Sequence, residues 1–421
     1  MFLIKSPRAK AWARCVLDLP FFCIAVIGIP LNWMIYSLCR CVRRTGQPRL
    51  LFGATPIISL AYIARALKEK GYLSETAVVA ESSIYSRTDF DHVLLPSGRY
   101  PTVLRLALGN AMAYLFFMKS FWRYDVFHYY FDGGVLRHTM FARLELTLLK
   151  WCGKKIVLMP YGSDAFVYDL IPNPIWRHAL MLEYAQFGNE AATIQKRIRQ
   201  MTAKADVVVG CLVHFVNLPR WDILPLTCYP VDTDRLQPKY PDVHSKQTVR
   251  IAHACNHRGV KGTQFLIDAV NRLIQEGVPV ILDIIEKVSN TEALKRIAAC
   301  DIYVDQLIFG YAQAALEAMA FGKVVISALD QSEAYELFRR FSYLNECPIV
   351  PANTDSIYAV LKALILNRDT FGELGERTRR FVETRHSFVA CADMYEAIYQ
   401  KIWWKHLDVN LMTYYLPKRA E

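Results

Sequence analysis

Residues 301–327 read DIYVDQLIFGYAQAALEAMAFGKVVIS. The stretch starts and ends with short runs of apolar and β-branched residues, 302–305 and 324–327, and such runs predict buried strands. Between them, a loop that contains Gly310 leads into a helical pattern of small residues, 312–321. The order strand, loop, helix, strand predicts a parallel α/β unit.

Glu317 lies within the apolar string ALEAMA of the predicted helix. Burial removes water from a carboxylate, and the cost is high unless a ligand or a partner group compensates for it. The other residues of the string suit the packing of a helix that ends in Phe-Gly before a buried strand. We therefore predict that Glu317 contacts a ligand.

The same alternation of short apolar runs and amphipathic helices extends through most of the chain. The 421 residues are too many for one ordinary core, and a hydrophobic content of 53% excludes a disordered protein. The predicted strands are 50–53, 77–81, 126–130, 155–159 and 206–210, then 250–254, 278–285, 302–305 and 324–327. The predicted helices include 57–70, 103–120, 134–152, 263–276, 291–299, 312–321, 355–366 and 368–385. This order predicts an α/β protein with two Rossmann-like domains.

A stretch rich in proline and aspartate separates the two runs and predicts a linker. The predicted divisions are a basic, apolar segment (1–48), a first Rossmann-like domain (49–228), the linker (229–242), a second Rossmann-like domain (243–389) and a C-terminal helix that packs back on the first domain (390–421).

Two Rossmann-like domains that face each other form a crevice at the carboxyl ends of their strands. Neither domain has a G-x-G-x-x-G turn or a Walker sequence after its first strand, which disfavours a dinucleotide redox enzyme and an NTPase. The second domain has HACNHRGVKGT there, at 253–263. Arg258 and Lys261 come at the start of a helix, where two cations and free backbone N–H groups suit a diphosphate. A solvated basic loop without a ligand is the alternative.

These segments resemble the nucleotide-sugar glycosyltransferases of the GT-B fold, glycosyltransferase family four type. That family has a basic Lys-Gly loop after the first strand of its C-terminal domain, and a Glu-x7-Glu signature ending in Glu-Ala-Met-Ala-x-Gly-x-Pro-Val. Lys261-Gly262 matches the first, and 317–325, EAMAFGKVV, matches the second with Lys-Val for Pro-Val. Residues 230–238 resemble the interdomain segment, and 161–164, YGSD, the N-domain cleft motif. The resemblance covers roughly residues 49–400.

The sequence departs from the signature at its first glutamate, where Phe309 stands. Asp305-Gln306 lies just upstream and resembles a variant of the motif. Which group faces the sugar ring, and whether the protein is catalytically competent, are left open by the sequence.

The resemblance implies that the second domain binds a nucleotide-diphosphate sugar as donor substrate, without a cofactor. Arg258 and Lys261 then hold the diphosphate and stabilise the charge that grows on the leaving nucleotide. Glu317 accepts hydrogen bonds from the ribose, and backbone N–H groups at 310–313 support the phosphates. The implied donor-binding residues are Gly53, Asn256, Arg258, Lys261, Gly262, Gly310, Tyr311, Ala312, Gln313 and Glu317.

The resemblance makes the first domain the acceptor domain and implies retention at the anomeric carbon. Asp164 and His128 each lie close to the end of a predicted strand and are expected to face the acceptor and the reacting sugar. With Arg258, Lys261 and Glu317 they form the predicted catalytic set. A histidine packed in its strand is the alternative for His128.

Two Asp-x-Asp strings, 89–91 and 232–234, are of a kind that binds divalent metals in other transferases. The second lies in the linker and the first follows a polar loop, and such short spacings arise readily by chance. We predict no metal site.

The N-terminal segment holds most of the excess charge. Eight basic residues stand against one acid, Asp18, among the first 49 residues, so they carry +7 of the net +11 and the rest of the chain carries +4. Residues 19–39, LPFFCIAVIGIPLNWMIYSLC, have no ionisable group other than cysteine and tyrosine, and as a helix they would be about 30 Å long, enough to cross a bilayer.

Basic residues flank this apolar stretch on both sides, which conflicts with the positive-inside rule for a single span. We predict a re-entrant or interfacial hairpin broken at Pro30, which leaves both flanks on cytoplasmic headgroups. A single span and a buried hairpin of a soluble protein are the alternatives. This distribution predicts an anionic membrane as the partner of residues 1–48 and makes nucleic acid an unexpected one.

The combined expectation is a membrane-associated, metal-independent, retaining glycosyltransferase. The expected acceptor is a lipid-linked glycan or a glycolipid at the cytoplasmic face of a bacterial inner membrane, in the synthesis of cell-surface polysaccharide or lipopolysaccharide. A non-catalytic GT-B protein that binds a partner or a glycan at the membrane is the alternative, and a sugar-nucleotide epimerase on the same fold is a third reading.

Overall fold

The computed structural model describes residues 7–39, 46–82, 85–98, 100–226, 229–242, 247–329 and 333–416, without the side chains of 7–15, 333 and 334. A long helix, α1 (Pro7–Cys39), precedes two α/β domains. The first domain contains β1 (Leu50–Ala54), α2 (Ile58–Glu69), β2 (Ser74–Val78), β3 (His92–Val93), α3 (Thr102–Arg123), β4 (Val126–Tyr129), α4 (Glu145–Trp151), β5 (Lys155–Leu158), α5 (Pro174–Asn189), α6 (Ala191–Thr202) and β6 (Val207–Val208).

The second domain follows a connecting segment. It contains β7 (Val249–Ala254), α7 (Arg258–Lys261), α8 (Thr263–Gln275), β8 (Val280–Ile285), α9 (Asn290–Ala298), β9 (Ile302–Val304), α10 (Gln313–Ala320), β10 (Val324–Ser327), α11 (Glu333–Phe341), β11 (Val350–Pro351), α12 (Ile357–Leu366) and α13 (Phe371–Arg385). The last helix, α14 (Phe388–Ile402), leaves this domain.

Each domain is built on one parallel sheet, which confirms the predicted pair of Rossmann-like domains. The strand order is β3-β2-β1-β4-β5-β6 in the first and β11-β10-β9-β7-β8 in the second. The order reverses between β1 and β4 in the first sheet and between β7 and β9 in the second. Ligands of open parallel sheets bind at the carboxyl end of such reversals. The segments that follow β7 and β9 therefore flank the predicted crevice.

The second strand begins earlier than the predicted span 77–81. It starts at Ser74 and buries two polar residues, Ser74 and Thr76. A prediction from apolar runs misses this start because these two residues are not apolar. The Asp91 carboxylate offsets the cost of burying Thr76, because it accepts hydrogen bonds from the Thr76 backbone N–H at 2.8 Å and from the Thr76 hydroxyl at 2.9 Å.

The predicted helix 134–152 is wrong in its first half, because only α4 (Glu145–Trp151) is regular helix there. The carboxylate of Glu145 is fully buried and accepts hydrogen bonds from the backbone N–H groups of Val135 and Leu136, both at 2.9 Å. These two bonds hold the preceding segment as a compact series of turns over the helix.

The predicted break at Pro30 is also wrong, because α1 is one helix of 33 residues with Pro20 and Pro30 inside it. A proline removes one helical hydrogen bond and favours a kink. Here α1 packs along α3 on both sides of Pro30: Ile29 is fully buried, and the side-chain amide of Asn32 donates to the Met118 carbonyl at 2.9 Å. Packing before and after the proline keeps the two halves in line.

The chain crosses between the domains twice, and the crossings lie side by side. The first is the connecting segment at 229–242, and the second is the chain between α13 and α14. The Val231 N–H donates to the His386 carbonyl at 2.7 Å, and Val231 pairs with Ser387 in a parallel bridge. Helix α14 then packs on α2 and on the inner strands of the first domain.

The candidate donor cleft

The two domains enclose a cleft of about 420 Å³. The first domain lines it with residues after β1 and β5, among them Ile57 and Tyr161, and with parts of α5. The second domain lines it with the loop after β7, including Asn256 and Lys261, and with the start of α10. Loops next to the reversal of strand order in each sheet therefore meet at this cleft.

Lys261 lies at the floor of the cleft on the second-domain side. Its ammonium contacts the Asp305 carboxylate at 2.8 Å, and Asp305 is fully buried. The other oxygen of Asp305 accepts a hydrogen bond from the Ala312 N–H at 2.7 Å. Asp305 therefore orients the lysine towards the cleft and fixes the chain that leads into α10.

Arg258 does not line the cleft. Its guanidinium is more than half exposed and forms two hydrogen bonds with Glu286, at 2.6 and 2.9 Å. This pairing lowers the pKa of Glu286 to about 2. Contact with a diphosphate would require Arg258 to leave Glu286, and its predicted contact with a ligand stays a prediction.

Glu317 lies in the cleft, and its predicted contact with a ligand stays a prediction. Its side chain lines the cleft from α10 and is about 5% exposed. In the described part of the chain, no hydrogen bond or ion pair engages its carboxylate. Burial, and second the nearby charge of Asp305, raise its pKa to about 8. An acid held in this way is ready for a polar ligand.

The start of α10 faces the cleft through Tyr311, Ala312 and Gln313, as predicted. Two of the expected N–H groups are engaged within the protein: Ala312 donates to Asp305, and Gly310 donates to the Ala328 carbonyl at 2.9 Å. The first N–H groups of a helix have no partner inside it, so those of Gln313 and Ala314 are the ones placed for a ligand.

Three further residues were predicted to bind the donor, and two of them are glycines with backbone roles. Asn256 lines the cleft, whereas Gly53 and Gly262 do not. Gly53 lies in β1, where a Cβ would stand 2.9 Å from the Ala77 carbonyl oxygen of the next strand. Gly262 has a φ of +72° between α7 and α8, a left-handed conformation that favours glycine.

The side chain of Asp164 is a structural carboxylate. It is about 2% exposed and accepts hydrogen bonds from the backbone N–H groups of Phe131, Tyr161 and Gly162, at 3.0, 3.1 and 2.8 Å. Burial, chiefly, raises its pKa to about 7. Its neighbours Tyr161, Gly162 and Ser163 line the cleft, and Asp164 itself does not. The acid therefore shapes the loop that contacts the ligand space.

His128 lies away from the cleft, in the interior of the first domain. Its ring stacks on Phe52 at 4.2 Å between centroids and is hydrogen-bonded to the Tyr399 hydroxyl of α14 at 3.0 Å. Burial lowers its pKa to about 3, so the ring is neutral. The geometry fits a packed strand histidine, the alternative that the sequence left open.

Phe309, at the position of the first glutamate of the signature, belongs to an aromatic cluster between the domains. Its ring stacks on Trp176 of α5 at 4.4 Å between centroids and meets Phe166 edge-on at 6.2 Å. Gln306 also lines the cleft, but the Asp305 carboxylate is engaged by Lys261 and Ala312.

Helix α5 of the first domain reaches across to the loop of the second. The Glu183 carboxylate accepts a hydrogen bond from the Gly259 N–H at 2.6 Å. Tyr184 packs on the His257 ring at 4.8 Å. An anionic side chain of the first domain therefore occupies a backbone donor of the loop that the sequence assigns to a diphosphate.

His214 lines the cleft and was not predicted from sequence. It is almost fully buried, its ring stacks on Phe166 at 4.7 Å, and its Nε2 lies 3.1 Å from the Gly162 carbonyl. Burial lowers its pKa to about 3, so the ring is neutral. Because a carbonyl only accepts, Nε2 carries the proton and Nδ1 is left as an acceptor. No strand end or motif in the sequence marks this residue.

Among the described residues, no three or more potential metal-ligating side chains lie together, and three of the four aspartates in the Asp-x-Asp strings accept hydrogen bonds within the protein. Asp91 is engaged by Thr76, and Asp89 accepts from the Ser86 N–H at 2.8 Å. Asp232 accepts from the Arg235 N–H at 2.9 Å.

Comparison with known proteins identifies the fold. The sequence matches no protein-family profile and no curated protein at a significant level. The structure of HepE from Anabaena in complex with UDP-glucose is similar with a TM-score of 0.54 at 12% identity, over 84% of this chain and 100% of that one. A glycosyltransferase structure from Rickettsia africae is similar with a TM-score of 0.52 at 14% identity, over 85% of this chain and 99% of that one. The chain therefore has the GT-B fold, and at these identities the similarity shows the fold alone.

Proposed function

We propose that the protein is a metal-independent, retaining glycosyltransferase of the family four type. Its donor is a nucleotide-diphosphate sugar bound between Lys261, Glu317 and the start of α10. The observation that carries the proposal is Glu317, a carboxylate buried in the cleft with no partner in the described chain. Nothing in the packing of α10 requires an acid there, whereas two vicinal ribose hydroxyls give it two hydrogen-bond donors.

The electrostatics of the cleft support transfer without a metal. As the bond between the sugar and the diphosphate breaks, negative charge grows on the leaving phosphate. Lys261, held by Asp305, and the N–H groups of Gln313 and Ala314 are fixed donors on that side of the cleft. Such preorganised groups stabilise the transition state without reorganisation of solvent. UDP-glucose in the HepE structure makes a UDP sugar the first donor to test.

The proposed acceptor is a lipid-linked glycan or a glycolipid at the cytoplasmic face of a bacterial inner membrane. Within α1, residues Val16–Cys39 are long and apolar enough to cross a membrane, with a mean hydropathy of 1.8. Basic residues flank this stretch in the sequence on both sides. An enzyme held at an anionic membrane meets such acceptors at high local concentration. Assembly of cell-surface polysaccharide or lipopolysaccharide is the proposed setting.

A second candidate is a non-catalytic GT-B protein that binds a glycan or a partner at the membrane. The aromatic cluster around Phe309 favours it, because an apolar ring fills the position of a polar signature residue and bridges the domains. The hydrogen bond between Glu183 and Gly259 also joins the two domains across the cleft. The retention of Lys261 and Glu317 favours the enzyme.

Donor binding and turnover separate the two candidates. We expect one nucleotide sugar of a panel to raise the melting temperature of the full-length protein in detergent, and to be hydrolysed slowly or transferred to a membrane lipid extract. Lys261→Ala should weaken donor binding by about 10- to 100-fold, since charge-assisted hydrogen bonds contribute about 1.5–3 kcal/mol.

Lys295→Ala is the matched control, because Lys295 is exposed and outside the cleft. Donor binding without turnover would support the non-catalytic protein. A folded protein that binds no nucleotide sugar would refute the donor site.

A further inference from the structure

The outward face of α1 has the composition of a lipid-facing surface. The large apolar side chains at exposed positions on it are Val16, Leu19, Ile24, Val26, Ile27, Leu31, Trp33, Met34, Ile35 and Leu38. Ser37 is the only exposed polar residue of 16–39 apart from two cysteines. A helix on the surface of a soluble protein has the opposite arrangement, with polar residues outward.

Two polar residues of the described part of α1, Asp18 and Asn32, contact the first domain instead. The Asp18 carboxylate is buried and accepts hydrogen bonds from the Asn110 side chain at 3.0 Å, the Tyr114 hydroxyl at 2.8 Å and the Met140 N–H at 2.7 Å. Asn32 donates to the Met118 carbonyl, and its side-chain oxygen accepts from the Trp122 indole at 2.9 Å.

The hydrogen bonds of Asp18 and of Asn32 attach α1 to the first domain at two points along the helix. Asp18 and Asn32 are 14 residues apart in the helix, which is about 21 Å along its axis. The residues between and beside them that face the domain recur every three or four positions: Asp18, Phe22, Ala25, Ile29, Asn32 and Tyr36. Most of their partners lie on α3, whose own inner side chains, Phe117 and Phe121, are fully buried in the core of the first domain.

The apolar face continues beyond α1. On α3, Leu104, Leu115 and Trp122 are exposed, with Leu115 at 64%. Trp33 of α1 lies 6.4 Å from Trp151 at the end of α4, and Trp151 is 63% exposed. Tyr36 of α1 meets Trp122 edge-on at 5.3 Å. We call this surface, formed by the exposed apolar residues of α1, α3 and Trp151, the apolar face.

We propose that the apolar face lies on an anionic bilayer and that α1 lies in the plane of the membrane instead of crossing it. A spanning helix exposes its whole circumference to lipid or to other helices in the membrane. Here one side of α1 is packed on α3, and the inner side of α3 is packed in the core around the parallel sheet of the first domain. Detaching α1 so that it could cross would leave the Asp18 carboxylate without partners in hydrocarbon, which is costly.

A bilayer fits the surroundings of the apolar face better than a second copy of the chain does. In the sequence, Arg8, Lys10 and Arg14 precede the exposed apolar stretch, and Arg40, Arg43 and Arg44 follow it. Lys119 and Arg143, next to Leu115 and Leu144, are exposed too. Two copies face to face would bring these cations together, whereas anionic headgroups neutralise them. The in-plane arrangement rests on the membrane association proposed above and specifies its geometry.

Depth measurement tests the arrangement directly. Ile24, Leu31 and Leu38 are exposed at seven-residue intervals and therefore lie on one side of α1. An environment-sensitive fluorescent amino acid at each position, in full-length protein on vesicles of phosphatidylcholine and phosphatidylglycerol, is quenched by lipids labelled at different depths. The in-plane helix gives three equal, shallow depths, about 5–10 Å below the headgroups.

A crossing helix gives depths that differ by up to about 21 Å between Ile24 and Leu38, and this result would overturn the proposal. Absence of quenching at all three positions, or a dimer in place of vesicle binding, would overturn it as well. Donor-induced shifts of the melting temperature, measured on the same samples, report on the donor site independently, so either proposal can fail alone.

A pair of substitutions outside α1 gives a second readout. Leu115→Glu on α3 should weaken vesicle binding by about tenfold or more, the equivalent of losing one buried leucine. Leu366→Glu, at a site 73% exposed on the second domain, is the matched control and should have no effect. Equal vesicle binding by both variants and the wild type would show that α3 is not part of the membrane-facing surface.

Discussion

Asp164 in the first domain and Glu317 in the second are both buried carboxylates near the interdomain cleft. Their exposures are about 2% and 5%, and burial raises their pKa values to about 7 and about 8. Asp164 accepts three backbone hydrogen bonds, whereas no partner of Glu317 is described. Burial and a raised pKa therefore do not distinguish a structural acid from a ligand-binding acid. The partners do.

The largest expected effect of this difference is on stability. Asp164→Ala leaves three buried N–H groups of the loops after β4 and β5 without an acceptor, and should reduce the free energy of unfolding by about 3–5 kcal/mol. Urea denaturation measures the loss. Asp169→Ala, at an exposed position of the same region, should change stability by less than about 0.5 kcal/mol. A stable Asp164→Ala protein that has lost turnover would instead assign Asp164 a chemical role.

For Glu317, we expect a substitution to lower donor affinity and not stability. Glu317→Gln preserves the shape of the side chain, removes no hydrogen bond of the described structure and removes the cost of keeping an ionisable acid buried, which the raised pKa reflects. Stability should be equal or higher, while donor affinity falls by about 10-fold or more through the loss of a charged acceptor for the ribose hydroxyls. Calorimetric titration with the donor and thermal unfolding check the two halves. Glu373→Gln, at an exposed site, is the control. Lower stability with unchanged affinity would make Glu317 a structural acid like Asp164.

The smallest expected effect is a pH dependence of donor binding. With a pKa raised to about 8, Glu317 is expected to be largely protonated at neutral pH before a donor binds. Two ribose hydroxyls favour the ionised form, so binding releases a proton and affinity rises with pH until the carboxylate is ionised before binding. We expect donor affinity to rise from about pH 6 to about pH 8, by at most tenfold per unit, and to level off above.

The same titration on Glu317→Gln should be nearly flat over this range, because Gln does not ionise. An equal slope in both proteins would assign the pH dependence to another group. The comparison with Asp164 would then rest on stability alone.

Sequence reasoning located the second-domain site better than the first. Lys261 follows β7, and Glu317 and the start of α10 follow β9, and these two strands are neighbours at the point where the strand order reverses. Asp164 and His128 also follow or end strands, but side-chain direction decided their roles. Whether a carboxylate turns towards the cleft or back onto its own loop depends on backbone N–H groups that come from other strands, such as that of Phe131.

The unforeseen features share a cause: each depends on contacts between segments far apart in the chain. The continuous course of α1 through Pro30 depends on Met118 and Trp122, about 90 residues later. Likewise, Glu145 prevents regular helix in the segment before it by accepting from Val135 and Leu136. His214 enters the cleft from a short irregular segment beyond β6 that has no strand or helix pattern.

The paired crossings between the domains set the mechanics of the cleft. Val231 on one crossing is hydrogen-bonded to His386 on the other, so both have to bend at the same level when the domains separate. A shared bending point acts as a door hinge and favours swinging over sliding. On the far side of the swing, opening breaks several contacts, among them the hydrogen bond between Glu183 and Gly259, the stack of Trp176 on Phe309 and the ring contact of Tyr184 with His257. A diphosphate that took over the Gly259 N–H would replace the first of these contacts and leave the hinge intact.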